Sequence, residues 1–384
     1  MNITNDIKYI GVNDKELDLF EGQYIVPNGM AYNSYIILDE KIAILDTACQ
    51  ECKDEWLENV QNALQEREPS YLIVHHMEPD HSSCIDAILE KYPSVKIVAT
   101  SKAFSMINQF FGSSYESNQI IVKEGDTLSL GKHTLTFYTA PMVHWPEVMA
   151  SYDLCDKVLF SADAFGKFGT TYTSEEWACE ARRYYFGIVG KYGMQASALL
   201  KKISALDIKI ICPLHGPILT ENLDYYIDLY KIWASYEPEK EGIFIAYTSV
   251  YGNTKRAVQL LENELKALGK PVSICDLARC DMAEAVEDAF KYSKLVLAST
   301  TYNADLFPFM REFLNELIER NYQKRTVGII ENGSWAPMVA KKIKERLEKL
   351  KEITLCDTIV TINSALNAKS MQEIKTLAGE LVNK

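Results

Sequence analysis

Through the first 240 residues the apolar positions come in short runs broken by polar turns. Tyr35-Ile36-Ile37-Leu38, Ile42-Ala43-Ile44-Leu45, Tyr71-Leu72-Ile73-Val74, Val95-Lys96-Ile97-Val98 and Thr134-Leu135-Thr136-Phe137-Tyr138 have the length and β-branched content of strands. The stretches 54–66 and 82–91 repeat apolar residues at helical spacing instead. Two more strands are expected at Lys157-Val158-Leu159-Phe160 and Ile208-Lys209-Ile210-Ile211, with a long helical region over 174–205 between them. Turn-linked strands with peripheral helices predict two sheets covered by helices on the outside, an αβ/βα sandwich.

The segment Glu237-Pro238-Glu239-Lys240-Glu241-Gly242 is charged, proline-broken and poor in apolar residues, so it reads as a linker between domains at 1–238 and 242–384. After it the rhythm becomes regular. Strands are predicted at 243–247, 272–275, 295–298, 327–330 and 358–361, alternating with helices at 254–268, 281–290, 309–320, 336–350 and 371–382. That alternation specifies an α/β domain with an open, doubly wound parallel sheet, which binds ligands at the carboxyl ends of its strands.

A length of 384 residues agrees with two domains, and 47% hydrophobic with 24% charged residues is an ordinary globular composition. No apolar run approaches twenty residues, and the N-terminus lacks the basic start and apolar middle of a signal peptide. The expectation is a cytoplasmic chain with no membrane segment. A formal charge of −13 argues against nucleic acid as a partner, although Lys341-Lys342-Ile343-Lys344 forms a local basic patch. Nine cysteines are scattered beside apolar residues, as at Cys84, Cys212 and Cys275, and are expected as buried free thiols. Cys49-Gln50-Glu51-Cys52 is the one C-x-x-C. With no second such motif there is no four-thiolate site, hence no rubredoxin module in the chain, and no thioredoxin-like pattern surrounds it.

The chemistry concentrates in His76-Met77-Glu78-Pro79-Asp80-His81, directly after an apolar run. Two imidazoles and two carboxylates at the end of a buried strand are expensive to desolvate unless a cation gathers them. His144, Asp163 and His215 also stand beyond strand-like runs, giving seven candidate ligands: His76, Glu78, Asp80, His81, His144, Asp163 and His215. Seven exceed one tetrahedral ion. Strand alternation would point His76 and Glu78 at one position and Asp80 and His81 at another, with Asp163 as the bridge between two metals. His75 and His133 match no ligand position and read as packing or surface residues.

In the second half, Thr248-Ser249-Val250-Tyr251-Gly252-Asn253-Thr254 follows a strand and leads into a helix. Its hydroxyls, its glycine and the helix N-terminal N–H groups make a phosphate cradle. Without a G-K-[ST] lysine it suits a single terminal phosphate, as in flavodoxin. Thr300-Thr301-Tyr302-Asn303 and Asn332-Gly333-Ser334-Trp335 follow the third and fourth strands, each with an aromatic ring able to flank an isoalloxazine. Three loops agreeing in this way read as a site for non-covalent flavin mononucleotide, FMN.

The first ligand run resembles the metallo-β-lactamase superfamily, whose usual H-x-H-x-D-H is followed by a distant His, Asp and His. Here Glu78 replaces the second histidine. H-x-E-x-D-H, with His144-Trp145-Pro146-Glu147 and Asp163-Ala164-Phe165-Gly166 downstream, resembles the flavodiiron protein family from about Tyr24 to the C-terminus. The resemblance implies a metallo-β-lactamase-like di-iron domain followed by a flavodoxin-like FMN domain. It further implies a reductase turning dioxygen to water or nitric oxide to nitrous oxide. On it, His76, Glu78, His144 and Asp163 hold one iron, while Asp80, His81, His215 and the shared Asp163 hold the other. It also implies a head-to-tail homodimer, or a homotetramer of two such dimers, with Trp335 in the gap between flavin and metals. Electrons would come from rubredoxin or another reduced donor. Tyr32 and Tyr192 are candidates to stand behind the ligands. The alternatives are a binuclear zinc hydrolase fused to a flavodoxin-like electron carrier, and a metal-free redox adaptor.

Overall fold

Every strand expected from the apolar runs forms; in the first half their ends move by one or two residues, while in the second half the strands run longer, Tyr292–Tyr302 and Ile353–Ile362 reaching well beyond 295–298 and 358–361. The computed structural model describes residues 1–172 and 176–384, and the start of the helical region expected at 174 lies outside them. Two compact units result, Met1–Lys231 and Ile232–Lys384.

In the first unit, a six-stranded sheet runs in the order Ile7–Tyr9, Tyr35–Ile37, Ala43–Leu45, Tyr71–Ile73, Lys96–Thr100, Gln119–Val122. Its first two pairings are antiparallel and the remainder parallel. The second sheet has five strands, Thr127–Ser129, Thr134–Thr139, Met149–Asp153, Val158–Phe160 and Ile210–Cys212. Tyr35, Ile37, Leu45, Ile73 and Val98 of one sheet share a core with Leu135, Phe137, Met149, Phe160 and Cys212 of the other. Ala43–Leu45 is buried at every position because helices cover the outer face as well, which is why the run is continuously apolar. The N-terminal strands and Met149–Asp153 escape the sequence pattern, being short or interrupted by polar residues.

Polar contacts fasten the N-terminal edge. His133 is buried; its Nδ1 lies 3.1 Å from Asp153 Oδ2 and its Nε2 3.2 Å from Asp6 Oδ2, with Lys132 Nζ on the same Asp6 oxygen. The hydrogen bond to Asp153 raises His133 to about 9, against burial and with help from Asp6 and Asp156. A folded-state value above the unfolded one near 6.5 means stability that is full below about pH 6.5, declines through that window and is gone above about 9. Thermal melts should therefore fall by a few degrees between pH 6.5 and 9.5 in the parent chain, and distinctly less in His133→Asn. Equal slopes in both chains would remove His133 from this role.

In the second unit the sheet order is Val272–Asp276, Lys240–Tyr247, Tyr292–Tyr302, Arg325–Asn332, Ile353–Ile362, all parallel, which is the flavodoxin-like order 2-1-3-4-5. Residues alternate across it. Ile243 and Ile245 join Leu261, Leu265, Leu377 and Leu381 of the helices Asn253–Ala267 and Ala368–Asn383, while Phe244 meets Phe313 on the opposite face. The expected linker is shorter than its composition suggested, because Lys240, Glu241 and Gly242 already belong to the first strand. Charged residues are tolerated there because the strand begins exposed and becomes buried only from Gly242 onward. Cys275 corrects the free-thiol expectation: it is bonded to Cys280, with Cα atoms 6.4 Å apart. A turn after the strand, in which Cys280 N–H reaches the Asp276 carbonyl, brings the two together. Among the described residues no helix is long and apolar enough to cross a membrane.

Candidate metal centre and cofactor cavity

All seven candidate ligands converge in the first unit, as two groups. In one, His144 Nε2 is 3.0 Å from Glu78 Oε2, 3.1 Å from Asp163 Oδ2 and within reach of His76 Nε2 at 3.3 Å. In the other, His81 Nε2 is 2.9 Å from His215 Nε2 and 3.3 Å from Asp80 Oδ2. Asp163 stands between them. Its Oδ2 faces His76 and His144, and its Oδ1 lies 3.5 Å from His81 and 3.9 Å from His215.

The split arises differently from the strand alternation expected. After Glu78 the chain leaves extended geometry, and Pro79–Ser82 forms a helical turn with proline at its first position. The turn swings Asp80 and His81 toward the second group. The remaining ligands come from loops following Thr134–Thr139, Val158–Phe160 and Ile210–Cys212. Non-glycine residues adopt left-handed backbone beside them, Met142 at φ 65°, Ala162 at 51° and Phe165 at 67°. Each costs on the order of 1 kcal/mol and is held by its surroundings.

The residues fit a pair of cations. Both carboxylate oxygens of Asp80 and of Asp163 are buried with no hydrogen-bond partner. Each such atom costs roughly 1–3 kcal/mol, more when charged, unless a cation meets it. Burial pushes Asp80 up to about 7. Against the cost of burial, Asp163, Glu147 and Glu78 hold His76 well above its ordinary range. Burial and the charge of His81 push His215 down to about 3, leaving a neutral imidazole. Nitrogen and carboxylate oxygen in this ratio suit iron or another borderline divalent ion.

Other residues, invisible as a motif, aim the ligands. Glu147 takes His76 Nδ1 at 2.9 Å and the Met77 N–H at 2.8 Å, so the ring turns Nε2 to the cluster. His215 donates Nδ1–H to the Ala31 carbonyl at 2.8 Å. Asp46 accepts the His75 N–H at 2.7 Å and faces His75 Nδ1 at 2.5 Å, while His75 Nε2 meets Ser151 at 2.8 Å. This makes His75 a buried strut, as a packing reading predicts. Phe20, Tyr32 and Tyr184 ring His215 at centroid distances of 5.3, 6.1 and 5.4 Å, and Trp145 stands against His76 at 5.3 Å. Tyr192 is half-buried at the start of the helix Gly193–Ile203. A cavity of about 390 Å³, lined by Phe20, Glu21, Tyr32, Cys49, Glu51, Glu78, Pro79 and Asp80, opens onto the ligands.

The second unit carries a cavity of about 610 Å³ at the carboxyl ends of its strands. Ser249, Val250, Tyr251, Asn253, Thr254, Thr300, Thr301, Tyr302, Asn303, Asn332, Gly333, Ser334 and Trp335 line it, all expected from the sequence. Thr248 and Gly252 do not. Thr248 is buried beneath the loop with its hydroxyl 2.9 Å from Ser299, and Gly252 supplies the left-handed turn, φ 86°, into the helix. Ser249 Oγ accepts the N–H groups of Gly252 and Lys255 at 3.1 and 3.2 Å. Thr254 Oγ1 lies 3.1 Å from Thr300 Oγ1. Hydroxyls and free N–H groups at a helix N-terminus fit a phosphate monoester. Gly333 is required for packing, since a Cβ there would sit 2.9 Å from Pro337 Cα. Ser364 belongs to the lining too and was missed: it follows the last strand, pairs with Asn332 and Ser334, and carries no glycine or aromatic signal.

A family model described as ODP family beta lactamase matches residues 30–216, and one described as Flavodoxin domain matches residues 244–381. An uncharacterised protein of Methanocaldococcus jannaschii is 30% identical across 95% of this chain and 93% of its own length. The nitric oxide reductase of Moorella thermoacetica is 28% identical across 99% of this chain and 97% of its own. Rubredoxin oxygen:oxidoreductase from Desulfovibrio gigas superposes with a TM-score of 0.92 at 25% identity, covering 100% of this chain and 98% of that structure.

Proposed function

Because the chain belongs to the flavodiiron protein family, we propose that it is an oxidoreductase that reduces dioxygen to water, nitric oxide to nitrous oxide, or both. The observation that carries the reading is the placement of the two Asp163 oxygens, one toward each ligand group. His76, Glu78, His144 and Asp163 would hold one iron; Asp80, His81, His215 and Asp163 would hold the second; and the cavity of the flavodoxin unit would hold FMN. When bound, the iron pair supplies electrons and open coordination positions for the gas, and the flavin relays further electrons.

The chain's own part is positioning and exclusion. Glu147 and the Ala31 carbonyl fix the tautomers of His76 and His215, so each presents an Nε2 lone pair. Phe20, Tyr32, Tyr184 and Trp145 keep bulk water off the ligand rings, leaving the cavity beside Glu78 and Asp80 as the approach for a small gas. In the flavodoxin unit, the loop before the helix Asn253–Ala267 holds the phosphate and the 300–303 and 332–335 loops hold the ring.

The name of the Desulfovibrio gigas protein pairs rubredoxin with oxygen, and rubredoxin or another reduced carrier is the electron donor we propose. A head-to-tail homodimer, alone or paired into a tetramer, is the assembly we propose with this reading.

Anaerobic purification with iron, zinc and flavin counted per chain, then mixing of the reduced protein with each gas, tests the proposal. About two irons and one FMN per chain with rapid reoxidation by either gas is expected. Zinc in place of iron, with flavin reoxidised no faster than free flavin, would overturn it in favour of a hydrolase.

A further inference from the structure

The cavity above the metal ligands is walled by a turn that carries two thiols. Cys49 immediately precedes the single turn Gln50–Cys52, which is closed by a hydrogen bond from the Cys52 N–H to the Cys49 carbonyl at 3.2 Å. Such a turn holds its end Cα atoms within about 7 Å, close to the span a disulfide bridges. Both cysteines are free thiols. Cys49, Gln50 and Glu51 face the same cavity as Glu78 and Asp80. Cys84, next to this turn, is of another kind. It is fully buried, donates to the Ala48 carbonyl at 3.3 Å, and burial pushes its thiol up to about 11.

We infer that Cys49 and Cys52, on the turn that edges this cavity, form a reversible dithiol–disulfide pair that is oxidised by small peroxides. Cys52 is the attacking group: it is the more exposed of the two, and the neighbouring Cys49 thiol holds it below the usual range. Its thiolate takes one peroxide oxygen, the O–O bond breaks, and hydroxide leaves, giving a sulfenic acid at Cys52. The Cys49 sulfur then attacks Cys52, the S–O bond breaks, and the thiol proton leaves with hydroxide as water. Two thiols lose two electrons and two protons, and one peroxide becomes two waters. Peroxide is the two-electron reduction product of dioxygen, so an internal source of it rests on the oxygen reading above. The pair's reaction with added peroxide does not.

The test uses the intact holoenzyme, exposed anaerobically to hydrogen peroxide, then alkylated and mapped by mass spectrometry. The expected product is an unalkylated peptide containing both residues, lighter by about 2 Da and restored by dithiothreitol, while Cys84 stays reduced. In Cys49→Ser the sulfenic acid should persist at Cys52 and be trapped by dimedone at least about tenfold above Cys84. Full alkylation of both thiols after peroxide, or recovery of either one joined to Cys84, would overturn the pair. A preparation that forms the disulfide with peroxide yet consumes neither gas would uphold the pair and overturn the function proposed above.

Discussion

Asp163→Asn should leave the chain with less than about a tenth of its parent iron and lower gas reduction by at least roughly 100-fold, at unchanged flavin content. The parent carboxylate offers one oxygen to His76 and His144 and the other to His81 and His215, and neither oxygen has a hydrogen-bond partner. Asparagine keeps the shape but supplies a single acceptor. Whichever way the amide turns, its NH2 group aims hydrogens at one of the two cation positions. Loss of a group that merely orients a ligand typically costs 10–100-fold in metal affinity, and a shared ligand should cost more because both positions depend on it. Metal analysis after anaerobic reconstitution and stopped-flow mixing with each gas are the measurements. An Asp163→Asn chain that binds two irons and turns over normally would mean that the two groups are independent sites.

Ser249→Asp should abolish FMN binding while leaving the flavin-free protein as stable as the parent, or slightly more so. The parent hydroxyl accepts the N–H groups of Gly252 and Lys255 at the start of the helix Asn253–Ala267. Aspartate can accept the same donors, and its charge near a helix N-terminus contributes about 0.3–1 kcal/mol in favour of the fold. Toward a phosphate dianion the sign reverses. Two like charges about 4 Å apart near a protein surface repel by roughly 4 kcal/mol, which corresponds to on the order of 1,000-fold in affinity. Fluorescence titration with FMN reads the first effect and a thermal melt of flavin-free protein the second. Parent-like FMN affinity would move the phosphate away from this loop. A large loss of stability would show that the substitution damages the domain.

Legibility in the sequence followed the range of the interaction involved. The alternation Ile243-Phe244-Ile245 already places two residues on one face and one on the other, and the structure puts them against different helices. Likewise, H-x-E-x-D-H names candidate ligands by residue type alone. Glu147 is harder to read, since its role depends on lying beside His76, 71 positions away in the chain. Asp46 is the same case, a single acidic residue after Ala43–Leu45 that becomes meaningful only because the neighbouring strand Tyr71–Ile73 leads into His75 and His76. The Cys49 and Cys52 spacing was visible as a motif, while the placement of Cys49 on one cavity with Glu78 and Asp80 was not. For Cys275 even the bonding state was out of reach, because the turn that presents Cys280 has no distinctive composition.

The amino-acid sequence by itself determined the class of each domain, the seven metal-ligand candidates and the loops that line the cavity of the second unit. These depend on local matters: side-chain periodicity, donor chemistry and the turn preferences of glycine and proline, all set within a few residues. The tertiary structure alone decided how the ligands divide into two groups, that Asp163 turns one oxygen to each, and that Glu147, Asp46 and Tyr184 stand behind them. Those outcomes depend on which strands become neighbours and in what register, a contest among contacts far apart in the chain that no local window contains. Helical folding of Pro79–Ser82 is the plainest instance. Alternation predicted two directions for the ligands, and a turn of helix produced them by another route.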